Sequence, residues 1–197
     1  MYNIGRMYRV DAAADVLRDQ AALYGALQQV VERHQPLSWT YGANRRPLTG
    51  AEAVWFRAAD PVDETDVGAE LAAVHRDPFD LDGGPLLRCL VQPVNDGPTA
   101  VLLVVHHVSA DAESFDIIWR EINSLLAGSE LDPLTTDYGG YCQWQQVRRD
   151  EVDRRYWLDT ETGIGNGNRF GFVVNQPVSD GFVVRAASIS PTDLDRT

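Results

Sequence analysis

Residues 101–105 read Val-Leu-Leu-Val-Val, and the two residues that follow are both histidine. Five consecutive aliphatic side chains, mostly β-branched, show no polar alternation, which fits a strand covered on both faces. Such a strand normally gives way to turn residues. Here it runs into two titratable rings and then into Val108-Ser109-Ala110-Asp111-Ala112.

The neighbouring segments supply the rest of an α/β layer. Leu86 to Val94 and Thr99 to His106 are two strand candidates, and Asn95-Asp96-Gly97-Pro98 between them has the composition of a hairpin turn, so the pair is expected to be antiparallel. Leu17, Tyr24, Leu27 and Val31 share one helical face within Asp11 to His34, and Pro36 ends that pattern. Val67, Leu71 and Val74 mark a second helix, stopped at Asp77-Pro78. From Ala112 a third carries Phe115, Ile118, Trp119, Ile122, Leu125 and Leu126 on one stripe, with Gly128 placed to end it. A fourth is expected between Tyr138 and Leu158. Leu37 to Tyr41, Ala53 to Phe56, Phe172 to Asn175 and Phe182 to Ile189 read as further strands, and Ser190-Pro191-Thr192-Asp193 as a helix start, so the chain is expected to stop inside an element.

With 197 residues, 44% of them hydrophobic, the chain is long enough for one domain or one large lobe of a bigger one. A net charge of -12 repels phosphate backbones and anionic lipid, which argues against nucleic acid or a membrane as partner. No apolar run approaches the ~20 residues of a bilayer span, and the first residues lack the pattern of a secretory signal, so a cytoplasmic location is expected. Cys89 and Cys142 have no metal-ligand spacing to any histidine, and free thiols are expected with no metal site.

Successive side chains on a strand point to opposite faces, so His106 and His107 can share one ligand only if the strand ends between them. That argues against a two-histidine metal site. One ring is expected to pack inward and the other, His107, to face a cleft as a proton acceptor. A hydrogen-bonded pair inside the core is the plain alternative. Asp111 is expected either to cap the following helix or to pair with an arginine that holds the turn. No serine elbow, phosphate loop or placed thiolate accompanies them. A histidine base without its own nucleophile implies that both reacting groups arrive as substrates, as in acyl transfer to an amine or alcohol.

Four segments in order resemble the condensation domains of nonribosomal peptide synthetases, which share the fold of chloramphenicol acetyltransferase. His106-His107-Val108-Ser109-Ala110-Asp111-Ala112 is similar to the HHxxxDG motif, with Ala112 where glycine is usual. Arg33-His34-Gln35-Pro36-Leu37-Ser38 resembles RHxxLR, with Ser38 where arginine is frequent; Pro78 to Arg88 resembles FDLxxGPLLR, and Tyr138 to Gln145 the start of a later aromatic helix. The resemblance implies a chloramphenicol acetyltransferase-like lobe with a central mixed β-sheet flanked by α-helices. It implies that residues 1–197 are the N-terminal lobe of a two-lobed domain, inactive in isolation, whose second lobe is a partner.

The reaction implied is amide formation in antibiotic and other natural-product biosynthesis. Acyl and aminoacyl thioesters arrive on the phosphopantetheine arms of carrier proteins, with neighbouring synthetase domains as further partners and no cofactor bound by the lobe itself. His107 is then the active-site histidine, while His106, Asp111 and Arg33 support the motif, Arg33 by pairing with Asp111. Ser109 and Ala112 border the substrate channel, and a Cβ at 112 is expected to strain a position that needs positive φ. A catalytically degenerate docking module, an epimerization domain and a free-standing acyltransferase are the other readings.

Overall fold

The computed structural model describes residues 2–11, 19–43, 45–148 and 186–188, and the chain divides into two compact units, Met1–Pro133 with Val183–Thr197, and Leu134–Phe182. In the first unit, strand β4 (Thr99–His106) has every residue from Thr99 to Val105 buried, as the aliphatic run requires. It pairs antiparallel with β3 (Leu87–Gln92) on one side and with β1 (Asn3–Val10) on the other. Beyond β3 lies β2 (Val54–Ala58), and beyond β1 lies β5 (Ala186–Ser188), both parallel to their neighbours, which gives the mixed order β2-β3-β4-β1-β5. The hairpin turn between β3 and β4 holds Asp96 at φ 55°, a left-handed conformation that a short polar side chain tolerates.

Alternation along β4 divides the core between two helical layers. Val101, Leu103 and Val105 pack with Leu87, Cys89 and Val91 against α1 (Gln20–Arg33) and α4 (Ser114–Leu126). On the opposite face Ala100, Leu102 and Val104 meet Met7, Leu90 and the Val67, Leu71 and Val74 stripe of α3 (Glu64–Arg76). Complete burial of a Leu or Val side chain contributes roughly 1.5–3 kcal/mol, so the strand is anchored from both sides. Burial also pushes the Cys89 thiol pKa up, which makes it an inert packing group.

The helices begin and end by local chemistry. Asp19 accepts a hydrogen bond from the Ala22 N–H at 2.9 Å to start α1; the expected earlier part of that helix, 12–18, lies outside the described residues. Gly128, at φ 77°, ends α4: its N–H donates to the Leu125 carbonyl and the Ser129 N–H to that of Ser124, a Schellman closure. The expected strand at Leu37 to Tyr41 is a correction. Gln35–Ser38 forms the single-turn α2, with Pro36 setting the first-turn φ, and only Trp39 makes a bridge, to Pro47. Strand β1 had no place among the expected elements, because Asn3-Ile4-Gly5-Arg6 carries no sustained alternation. Phe172 to Asn175 and residues 190–197 lie outside the described residues, as does the expected helix beyond Arg148. The described part of the second unit, residues 134–148, contains α5 (Tyr138–Arg148), on which the Tyr141 ring centroid lies 6.1 Å from that of Tyr138 and 5.9 Å from that of Trp144.

The C-terminus of α3 is held by side chains from two strands. Asn3 Nδ2 donates to the carbonyls of His75 and Asp77 at 2.7 and 2.8 Å. Arg88, buried in β3, donates to the carbonyls of Asp77 and Pro78 at 2.6 Å each, and its guanidinium lies 3.9 Å from the centroid of Phe79. Arg88→Ala leaves those carbonyls without their charged donor, and is expected to lower stability by about 3 kcal/mol in urea unfolding; a loss below about 0.5 kcal/mol contradicts this role.

Candidate active site

Strand β4 ends between the two histidines, and their rings part company there. His106 is half-buried: its Nδ1 accepts the Val108 N–H at 3.2 Å, and Phe79 meets it edge-on at 6.1 Å between centroids. Burial, and secondarily the neighbouring His107, hold its pKa below the ordinary 6.5. His107 is exposed. Its backbone N–H donates to the Tyr2 carbonyl at 2.7 Å, one step beyond the β1–β4 ladder, and its Nδ1 lies 2.9 Å from the Ala110 carbonyl. A carbonyl only accepts, so Nδ1 carries the proton and Nε2 presents a lone pair. The turn lies at the end of a central strand and not along an edge strand.

Ser109 is buried and closes the turn, donating to the His106 carbonyl from both its N–H at 3.0 Å and its hydroxyl at 2.9 Å. Asp111 and Ser114 cap each other: Asp111 Oδ1 accepts from the Ser114 N–H at 2.9 Å and its hydroxyl at 2.6 Å, while the Asp111 N–H donates to Ser114 Oγ at 3.1 Å. Those bonds hold the Asp111 carboxyl below its ordinary range and start α4 at Ser114, two residues after the expected Ala112.

The expected pairing of Arg33 with Asp111 is not what the structure holds. Arg33 Nε donates to Glu121 Oε1 at 3.2 Å and its guanidinium also donates to the Asp132 carbonyl, while His34 Nε2 donates to Glu121 Oε2 at 2.7 Å. The reason is position: Arg33 and His34 end α1, which packs against the middle of α4, whereas Asp111 stands outside its first turn. Glu121 is only 8% exposed, and the signal for it was a carboxylate one position before Ile122 inside the apolar stripe of α4. The arginine that does hold the turn is Arg6, which sequence reasoning passed over. From β1 it pairs with Asp116, donates to the Ala112 carbonyl at 3.2 Å and lies 5.6 Å from the Phe115 ring centroid.

Ala112 is exposed and carries no backbone strain, since among the described residues Asp96 is the sole non-glycine at positive φ. Alanine therefore fits where glycine was expected to be needed. Among the described residues no cluster of three His, Cys, Asp or Glu side chains is arranged for a metal ion, and no helix is long and apolar enough to cross a membrane.

Residues 13–183 match a family model described as Condensation domain. Bacitracin synthase 3 of Bacillus licheniformis is 30% identical over 168 residues, which cover 82% of this chain and 3% of that protein. Phosphinothricin tripeptide synthetase PhsC of Streptomyces viridochromogenes is 29% identical over 174 residues, covering 77% of this chain and 15% of that protein. Among solved structures, the epimerization domain from the third module of tyrocidine synthetase B superposes with a TM-score of 0.69 at 20% identity, covering 85% of this chain and 41% of that one. The complex of the X-domain and OxyB from teicoplanin biosynthesis gives 0.67 at 24% identity, covering 83% and 39%. The chain thus spans a small fraction of these curated relatives.

Two histidines set a pH window for stability. His75, at the end of α3, also has its pKa lowered, mainly by burial. Above their ordinary value of 6.5 both rings are neutral in folded and unfolded chains alike; below it the unfolded chain binds protons that the folded chain resists. Unfolding free energy is therefore expected to fall as the pH drops below about 6.5. Urea unfolding across that range checks this, and a combined His75→Asn, His106→Asn variant is expected to show the shallower slope.

Proposed function

This chain belongs to the condensation-domain family, and from that premise we propose that it forms the N-terminal lobe of a nonribosomal peptide synthetase condensation domain. The observation that carries the proposal is the exposed His107 ring with its Nδ1 proton committed to the Ala110 carbonyl, which leaves Nε2 as the only ring nitrogen able to take a proton. In the proposed reaction an aminoacyl amine on one carrier protein attacks the thioester carbonyl of an acyl group on another. The C–N bond forms, the C–S bond breaks, and the amine proton passes through His107 Nε2 to the departing thiolate. Both substrates are tethered by phosphopantetheine, so the lobe needs no nucleophile or bound cofactor of its own. The second lobe, in this reading, is the opposite wall that holds both substrates in position.

His106, Ser109, Asp111 and Arg6 are positioning residues. They close the turn, start α4 and hold the Ala112 carbonyl, and so fix the direction of the His107 ring. Ala112 has an unstrained backbone, so strain at that position is no argument for the degenerate docking module that stands as the second reading. The proposed setting is cytoplasmic biosynthesis of a peptide natural product.

In the complete synthetase module, with loaded carrier proteins, His107→Ala is expected to lower dipeptidyl thioester formation by about 10³-fold. Unchanged turnover with carrier binding retained sinks the catalytic role. Arg6→Ala is expected to lower kcat by about tenfold with KM little altered, since the contact orients the base without touching substrate. An equal rise in KM instead would place Arg6 in binding.

A further inference from the structure

The segment from Pro78 to Arg88 follows α3, turns back and enters β3, and it reaches His106 from both ends. Phe79 meets the His106 ring at 6.1 Å between centroids and 81° between planes, and the Leu86 carbonyl accepts the His106 N–H at 3.3 Å. We propose that Phe79, backed by Arg88, is a positioning residue of the site: it holds the His106 ring where Nδ1 accepts the Val108 N–H, and so sets the turn that carries His107. The proposal rests on the amide-forming reading above and adds to it two residues that act through His106.

Phe79 has little freedom of its own. Pro78 fixes the backbone dihedral immediately before it. Arg88 donates to the carbonyls of Asp77 and Pro78 at 2.6 Å each, and the same guanidinium lies over the Phe79 ring face, 3.9 Å from its centroid. One buried cation therefore holds both the ring and the backbone that delivers it. A guanidinium suits this double task, because its plane stacks on an aromatic face while its edge N–H groups remain able to donate. The Asp77 carboxylate, 3.3 Å away, balances the charge.

The bond that this ring contact protects is a vulnerable one. Val108 is 45% exposed, so water competes for its N–H, and the distance to His106 Nδ1, 3.2 Å, is at the long end for a hydrogen bond. Such a bond persists only where the acceptor is kept in line. The ring torsion of a histidine lies in a broad well, so its rotamer alone does not aim Nδ1. Phe79 supplies the restraint. With Nδ1 in place, the Val108 N–H and the two Ser109 donors on the His106 carbonyl close the turn around a single residue, and the His107 to Ala110 bond lies within it.

The coupling runs from the core outward. Phe79 packs against the cluster that holds Met7, Leu102 and Val104, on the α3 face of the sheet. A change at Phe79 reaches His107 through the His106 ring and the turn, with no substrate contact of its own. Its signature is therefore a lower kcat at constant KM.

The test compares Phe79→Leu, which keeps apolar bulk without a ring, with Phe79→Tyr, which keeps the ring; Phe79→Met replaces the leucine variant should that one fold poorly. In the complete module with loaded carrier proteins, Phe79→Leu is expected to lower kcat by about fivefold with KM within about twofold, and Phe79→Tyr to restore at least about half of the parent kcat. NMR of the 197-residue chain reads the turn directly: the nitrogen–nitrogen coupling across the Val108 N–H to His106 Nδ1 bond is expected to vanish in Phe79→Leu and to survive in Phe79→Tyr. A loss of global stability alone does not move that coupling, because it is measured on folded molecules. Coupling kept in Phe79→Leu, a rise in KM equal to the fall in kcat, or a tyrosine variant as impaired as the leucine one overturns the proposal. If His107→Ala matches the parent in turnover, the amide-forming reading fails separately, and the hold of Phe79 on the turn is still decided by the coupling.

Discussion

Strand β4 has apolar side chains on both faces, hydrogen-bonded strands along both edges and a helical layer against each face, so no polar group can stand along it at low cost. Its end is a different environment. The last ladder step, the His107 N–H to the Tyr2 carbonyl, fixes the backbone, and beyond it the chain must turn. His106 still belongs to the packed side and His107 does not. The same burial that makes the strand rigid fixes where the first residue past it is presented to solvent.

The polar groups of the fold are spent on element ends. Arg88 and Asn3 satisfy the last carbonyls of α3, Arg6 takes the Ala112 carbonyl beside the first turn of α4, and Arg33 and His34 both hydrogen-bond the Glu121 carboxylate. Each is a charged or amide donor reaching a neighbouring element, where an orphan carbonyl or buried carboxylate would otherwise cost free energy. Tyr8 shows how tightly these sites are packed. It stacks on Trp119 at 3.9 Å, donates to the Phe115 carbonyl at 3.2 Å, and burial raises its pKa to about 12.

The turn itself combines three short-range devices. A carbonyl at Ala110 decides the His107 tautomer, a buried hydroxyl at Ser109 closes the loop, and the reciprocal Asp111–Ser114 bonds begin the helix. Alanine at 112 fits because the helix starts later than the motif suggests, at Ser114, and the intervening backbone never enters the left-handed region.

Local pattern was enough for the elements whose energetics are local. The aliphatic run, the hairpin composition, the stripe of α4 and the glycine after it each have one low-energy structural answer, so β3, β4, α3 and α4 were legible in order. The exposed His107 was legible too, because a strand with two buried faces must release its polar residues at its end. Tertiary structure alone decided the partners. Strand β1 is a strand because β4 and β5 offer it ladders, α2 is helical because Pro36 follows directly on α1, and Arg33 finds Glu121 because two helices cross where no sequence spacing records it. Long side chains reach whatever the packing brings near, and a linear pattern carries no term for that distance.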